Sequence, residues 1–290
     1  MRQPVSYIKQ TRDLYDSLGY EPYSWFEAET EPDFVKPKKP LSESKLGLVS
    51  TAGTYVAGQV AYYYKDDTSI RAISKNTPVS DLRFSHVTEN YLGDAREDPC
   101  CVVPIEALQT LESDGTIGGL AENYFSCMGG IYSQRRVRDE LIPTLDEAIT
   151  NEEVDVLLLV PLCPVCHQTV SLIARHFEAS GLPTLILGSA SDILQSGKPP
   201  RAKFLDYPLG FESGRPFDAE NQLAVVAEAI KGFDSMVAPG IDKLDFSWEE
   251  GWQMIAERNK NEIGADQRSP RDMTPRYQTE RDRELAEDHG

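Results

Sequence analysis

Long apolar runs are missing from this 290-residue chain. The longest, around residues 154–160, is far too short to cross a bilayer. The N-terminal stretch MRQPVSYIKQTRDLYDSLGY has no apolar segment of the kind an export signal needs. Membrane insertion is therefore not expected, and a cytoplasmic protein is. Cysteine is scarce as well. The five residues, at 100, 101, 127, 163 and 166, are odd in number and irregularly spaced, which argues against a secreted disulfide framework. Positive charge is in short supply. With 29 Lys and Arg against 47 Asp and Glu the net charge is -18, so phosphate-rich partners would be repelled, and neither nucleic acid nor an anionic membrane is an expected partner. No repeat of solenoid type is present.

What the chain does have is a regular middle. Residues 1–44, rich in Pro, Tyr, Trp and charge, read as an extended or helical arm. Residues 45–235 read as the body, with two similar halves left open. Residues 236–290 read as a charged tail, partly disordered, because apolar residues thin out and prolines interrupt it. Within the body the expected strands are Leu46–Ser50, Arg71–Ile73, Leu82–His86, Cys101–Val103, Val154–Val160, Thr184–Leu187 and Ala202–Tyr207. The expected helices are Ile105–Ser113, Arg135–Ile149, Cys166–Ser180 and Ala219–Phe233. Strand alternating with helix predicts an α/β fold with an open, mostly parallel sheet and crossover helices. Ligands in such sheets bind outside the carboxyl ends of the strands, near a switch in strand order. The active site is expected there, where the loops 51–59, 86–94 and 161–168 would converge.

The segment LLLVPLCPVCHQTVSLIARHF, residues 157–177, carries the chemistry. An apolar strand ends in Cys163-Pro164-Val165-Cys166-His167 and runs on as a helix. Thiols at a helix N-terminus face unpaired N–H groups and the positive end of the helix dipole, both of which favour thiolate. Pro164 suits the first helical position. Spacing of one turn lets the two sulfurs meet, with Cys163 expected to attack and Cys166 to resolve. His167, next in sequence, and His86, ending a strand beside Glu89 and Asp94, are candidates for moving protons. A soft-metal site, zinc or another, on Cys163, Cys166 and His86 is the open alternative. Inert burial is a further one. No second Cys-x-x-Cys and no His-x3-His pair supplies a fourth ligand.

Two glycine-bearing stretches could hold a substrate's polar group. STAGTY offers Thr51, Gly53 and Thr54, and it lacks the glycine spacing and lysine of a phosphate loop. DGTIGGLAENYFSCMGG offers Phe125, Met128 and Gly129, with ordinary turns and core packing as the plainer reading. The loop PLGFESGRPFDAENQ suggests no more than binding by Arg215.

Taken in order, KLGLVSTAG, DLRFSH, DGTIG, FSCMG, VLLLVPLCPVCHQT and PRAKFLDYPLG resemble the selenoprotein B subunits of the glycine, sarcosine, betaine and D-proline reductases, closest to the D-proline side. The resemblance covers roughly residues 44–233. It implies reductive cleavage of a C–N bond alpha to a carboxylate, with a selenol or thiol attacking carbon and a neighbouring cysteine resolving the adduct. An external dithiol system then reduces the product bond. The matching segment here holds two cysteines where the family carries selenocysteine, and no pyruvoyl-forming subunit is part of this chain. A partner subunit or homo-oligomer is therefore an expected partner, and the expected substrate is a small, polar, carboxylate-bearing molecule with an easily reduced C–N or C–S bond. A non-catalytic docking subunit is the remaining alternative.

Overall fold

The computed structural model describes residues 3–248, 251, 255 and 272–289. Ten strands are described: β1 Lys45–Ser50, β2 Thr54–Val56, β3 Ile70–Ser74, β4 Leu82–Phe84, β5 Gly119–Leu120, β6 Asn123–Cys127, β7 Val156–Val160, β8 Thr184–Gly188, β9 Arg201–Phe204 and β10 Gly240–Lys243. Eight of them form one sheet in the order β10-β9-β8-β7-β1-β6-β3, with β5 pairing the start of β1. Every pairing in it is parallel except β3 against β6. β2 and β4 make a separate antiparallel pair.

The apolar composition of the central strands explains this arrangement. Val156–Val160 (VLLLV) and Thr184–Gly188 (TLILG) are buried at every position, as strands covered by helices on both faces must be. On one face lie α3 (Gln134–Arg136), which runs through a π turn at Val137–Leu141 into α4 (Ile142–Glu152), and α5 (Pro164–Ala179). Their Val137, Leu145, Ile149, Val170, Ile173 and Phe177 share a core with Val49, Phe125, Leu157 and Leu159. On the other face α2 (Ile105–Ser113) and α6 (Ala219–Ile230) bury Leu108, Leu111, Val225 and Val226 against Leu46, Leu48, Leu158 and Leu185.

The chain leaves β1, reaches β6 on one side of it, then crosses to β7 on the other side and continues outward to β10. The strand order thus reverses at β1. The crevice at the carboxyl ends of β1 and β7 is the switch point, where Thr51 N–H donates to Val160 O at 3.0 Å.

Three expectations need correcting. Cys101–Val103 is not a strand. Asp98 caps a 3-10 turn at Pro99–Cys101, accepting from Cys100 N–H, and proline starts that turn. Leu82–His86 is a strand only to Phe84, since Ser85 and His86 turn toward the switch point. β2, β5, β6 and β10 were not expected as strands at all.

In the N-terminal arm, α1 (Tyr7–Ser17) is a helix capped by Ser6, and no helix or strand follows until the 3-10 turn at Leu41. The far tail, Asp272–His289, lies on the β2–β4 pair. Phe84 N–H donates to Gln278 Oε1 at 2.9 Å, Gln278 N–H to Tyr55 Oη at 2.7 Å, and Arg83 pairs with the buried Asp282. Residues 249–250, 252–254 and 256–271 of the tail lie outside the described residues. Among the described residues no helix is long and apolar enough to cross a membrane.

Candidate active site

Cys163 is the N-cap of α5, in extended conformation, and its Sγ accepts from Cys166 N–H at 3.2 Å. A thiol here does the work usually given to a serine or aspartate cap. One turn places Cys166 Sγ 2.8 Å from Cys163 Sγ. Both thiols are buried.

His86 completes the cluster from the other side of the crevice. Its Nε2 lies 3.2 Å from Cys166 Sγ, and its Nδ1 accepts from the Thr88 backbone N–H at 3.0 Å. A backbone N–H can only donate, so Nδ1 carries no proton and the ring proton of the neutral imidazole sits on Nε2, facing the sulfur. The Thr88 hydroxyl also lies 2.7 Å from Nδ1. His86 is therefore held as a donor toward Cys166.

The two thiols differ in consequence. Burial alone would raise both. For Cys166 it is outweighed by Cys163, His86 and Thr51, which hold the thiol well below the ordinary cysteine range. Cys163 is pushed well above that range, by burial first and by the Cys166 charge beside it. The pair behaves as one proton shared between two sulfurs, with the negative charge on Cys166.

His167 does not join them. Its Nδ1 meets Cys163 O at 2.8 Å, and its Nε2 accepts from Ser189 N–H at 2.8 Å and Ala190 N–H at 3.1 Å. Both ring nitrogens are used by backbone, and burial depresses its pKa to about 4. The residue is a neutral clip joining α5 to the loop after β8. Neighbours in a helix point about 100° apart, so sequence adjacency to Cys166 did not bring its ring to the sulfur.

The glycine stretches divide in the same way. Thr51 Oγ1 accepts from Leu162 N–H at 3.3 Å, and Thr51 O lies 3.6 Å from Cys166 Sγ. Gly129 has φ +64°, and a Cβ there would come within 2.3 Å of Thr51 Cβ and 3.0 Å of Cys166 Sγ. Gly53, φ +66°, leaves no room for a side chain against Ser85 O at 2.0 Å, which lets the β1 loop press on the strand that delivers His86. Thr54 N–H donates to Ser126 Oγ at 2.8 Å, while Met128 packs with Tyr55, Ala61 and Tyr62. Phe125 sits in the core on the α4–α5 face. The carbonyls of Thr51 and Met128 thus face Cys166 Sγ, at 3.6 and 4.0 Å, and Gly129 leaves the space beside it free of a side chain. Gly53 supports them from the next loop, and Thr54 and Phe125 serve the interior.

Further residues reach this end of the sheet without having been expected. Thr88 sets the His86 tautomer. Tyr23 of the arm donates to Tyr132 O at 3.2 Å and accepts from Gln168 Nε2 at 2.9 Å. Glu212, buried, accepts from Gly210 N–H at 3.0 Å, and burial raises its pKa well above the carboxylate range. Each comes from a loop with no motif of its own. Arg215 donates to Ser247 O and lies over the Trp248 ring, so it ties down a loop.

His86, Cys163 and Cys166 offer three donor atoms within 4.8 Å of one another, a set with the chemistry for a soft metal. Their spacing is tighter than a metal needs. Two thiolates on one tetrahedral zinc stand about 3.8 Å apart at Zn–S distances near 2.3 Å, whereas these sulfurs are at 2.8 Å.

Comparison with characterised proteins gives three relatives. D-proline reductase subunit gamma of Acetoanaerobium sticklandii is 29% identical over 200 residues, covering 69% of this chain and 82% of that one. Glycine reductase complex component B subunit gamma of Symbiobacterium thermophilum is 25% identical over 59% of this chain and 42% of its own length. The corresponding subunit of Peptoclostridium acidaminophilum is 23% identical over 58% of this chain and 41% of its own. The chain thus spans less than half the length of the two glycine reductase subunits. No protein-family model matches the sequence, and no solved structure matches it.

Proposed function

Because this chain is a relative of the D-proline reductase and glycine reductase gamma subunits, we propose that it is a thiol-dependent reductase, an oxidoreductase that cleaves a C–N or C–S bond alpha to the carboxylate of a small polar substrate. The observation that carries the reading is the contact of Cys166 Sγ with His86 Nε2 at 3.2 Å on one side and Cys163 Sγ at 2.8 Å on the other.

In this reading the roles of the two cysteines are reversed from the order that helix-terminus position suggests. Cys166, the stabilised thiolate, attacks the α-carbon. A C–S bond forms, the C–N or C–S bond of the substrate breaks with its electron pair, and the leaving group takes a proton. Cys163, deprotonated, then attacks the Cys166 sulfur. The S–S bond forms, the electrons of the Cys166–carbon bond pass to the α-carbon, and that carbon takes the second proton. The dithiol has given two electrons and the substrate has gained them, and an external dithiol reductant restores the pair. His86 holds the Cys166 charge before attack and leaves Cys163 as the proton source of the pair. Thr51, Gly53 and Gly129 supply the wall against which the substrate's carboxylate is held. A partner subunit of a reductase complex is the expected companion, in keeping with the names of the relatives.

The test is a single turnover without external reductant. Fully reduced protein is mixed with a panel of small α-amino and α-thio carboxylates. One equivalent of reduced acid should appear per Cys163–Cys166 disulfide formed, and Cys163→Ser should instead trap a covalent adduct on Cys166 by mass. Turnover that survives in Cys166→Ser would overturn the reading. A metal centre on His86, Cys163 and Cys166 is the second reading, favoured by the 4.8 Å clustering of its donors and answered by metal analysis of the same preparation.

A further inference from the structure

A reacting dithiol that is fully buried requires a way in. Cys163 is 1% exposed, Cys166 and His86 are 0%, so no substrate touches them until something moves. The elements packed over them are the Thr88 loop, the turn Gly129–Tyr132 and the N-terminal arm. The arm is held in the least regular manner. Between Ser17 and Leu41 it has no helix or strand. Near the site it is tied by separate bonds, Gln134 Nε2 to Ser24 O at 3.1 Å, Phe26 N–H to Gln168 Oε1 at 2.7 Å and Ala28 N–H to Ser196 O at 2.9 Å.

Under this arm runs an open groove of about 770 Å³, lined among others by Tyr23, Phe26, Gln134, Arg138 and Arg175. Tyr23 is one of its lining residues. The Tyr23 ring packs edge-on against Tyr132 at 5.8 Å, its hydroxyl bridges Tyr132 O and Gln168, and Gln168 lies two residues past Cys166 on α5. Tyr132 follows the turn that begins at Met128, whose O lies 4.0 Å from Cys166 Sγ. Both rings pack against the buried cluster that contains Cys163 and Cys166. The pair of rings thus covers part of the cluster to which the thiols belong.

The groove carries two arginines, Arg138 and Arg175, in a protein that is strongly acidic. The Arg138 guanidinium has no ion pair among the described residues and stands over the Phe26 ring at 5.4 Å. Arg175 donates to Lys198 O at 2.9 Å and to Thr30 O at 3.1 Å, and Glu31 and Asp33 of the arm act on its charge. Glu27 and Glu29 also line the groove, both exposed to solvent on the arm. An anion in the groove meets Arg138 and Arg175 against the protein body and acid only on the arm.

We infer that this groove is the entrance for a small carboxylate, that Arg138 draws the carboxylate in, and that Tyr23 is the gate between the groove and the thiols. The inference rests on the reductase reading for its ligand class, but the gate does not depend on turnover. Arg138 acts on arrival and Tyr23 on access, so neither is a catalytic residue.

Alkylation of the reduced full-length protein, followed cysteine by cysteine by mass spectrometry, separates the two parts. Tyr23→Ala should raise the rate at Cys163 and Cys166 about tenfold or more, because two hydrogen bonds of order 1 kcal/mol close the gate. Buried Cys100, Cys101 and Cys127 should keep their wild-type rates. If Tyr23→Ala unfolds the chain, all five cysteines react, and Tyr23→Phe, which keeps the ring and loses the hydroxyl bonds, then decides. A wild-type rate at Cys163 and Cys166 in the deciding variant overturns the gate. Arg138→Gln should lower the iodoacetate-to-iodoacetamide rate ratio at the thiols about threefold, the scale of one exposed charge pair, and an unchanged ratio overturns the carboxylate entrance. Gated, charge-selective alkylation in a protein that shows no turnover with any carboxylate would count against the reductase reading and leave the entrance standing.

Discussion

His86 Nε2 stands 3.2 Å from Cys166 Sγ although eighty residues separate them, and Thr88 N–H fixes which ring nitrogen carries the proton. This contact assigns the charge of the dithiol to its second member. The strand order reverses at β1, which brings the ends of β1 and β7 together, and Ser85 N–H, donating to Gly53 O at 2.9 Å, holds the end of β4 and so His86 beside them.

The His86 contact gives the first prediction. Thiolate absorbance near 240 nm should report one ionised sulfur in the reduced protein at neutral pH, persisting as pH falls below the ordinary cysteine pKa of roughly 8.5. In His86→Gln burial is no longer offset by the imidazole donor, and the neutral-pH thiolate signal should be lost. An unchanged signal in the variant would remove His86 from the account.

His167 gives a prediction about stability. Its pKa is about 4 in the folded chain against about 6.5 when unfolded. Between those values the unfolded state binds a proton that the native state does not, so stability is full above about pH 6.5 and falls as pH is lowered toward 4. The loss is about 3 kcal/mol in all. Urea unfolding across that window should show this slope in the wild type and a shallower one in His167→Gln.

Arg201 and Glu178 form an ion pair with both side chains 0% exposed, and Glu178 also accepts from Val35 and Thr184 N–H. Arg201→Met should cost about 3–5 kcal/mol by stranding the carboxylate, and adding Glu178→Gln should recover part of it. Because Val35 belongs to the arm, limited proteolysis of the single variant should cut first within residues 18–40. Cutting at wild-type sites and rates would show that the pair does not anchor the arm.

Gly129→Ala should cost about 2–4 kcal/mol, the sum of a left-handed backbone penalty and overpacking, since the new Cβ has Thr51 Cβ at 2.3 Å. Denaturant midpoints measure it. A neutral result would mean that the Thr51 and Gly129 turns do not press on each other.

Much of the framework was legible in the sequence. The helix Ile105–Ser113 lies where its apolar spacing indicates, and the run ending at Cys163 is a central buried strand feeding a helix. β6 was hidden because glycine turns flank five residues whose two faces are both buried, so no alternation marked it. Cys101–Val103 looked like a strand, but a capping aspartate and a proline decide such short segments. The site was half legible. Local spacing joined Cys163 to Cys166, while the choice of His86 as their partner depends on a crossover that no local pattern contains. Tyr23 acts through two hydrogen bonds across the fold and Thr88 through a local one to His86, and neither left a motif.

The central claim is that Cys163 and Cys166 form a redox pair. The most direct measurement is peptide mapping of the anaerobically purified protein across a graded dithiothreitol redox buffer, with metal content determined on the same sample. The account predicts a two-electron transition in which Cys163 and Cys166 alone convert between dithiol and disulfide, without stoichiometric metal. Metal near one per chain that is lost in Cys163→Ser, or two thiols that stay alkylatable under oxidising conditions, would contradict it.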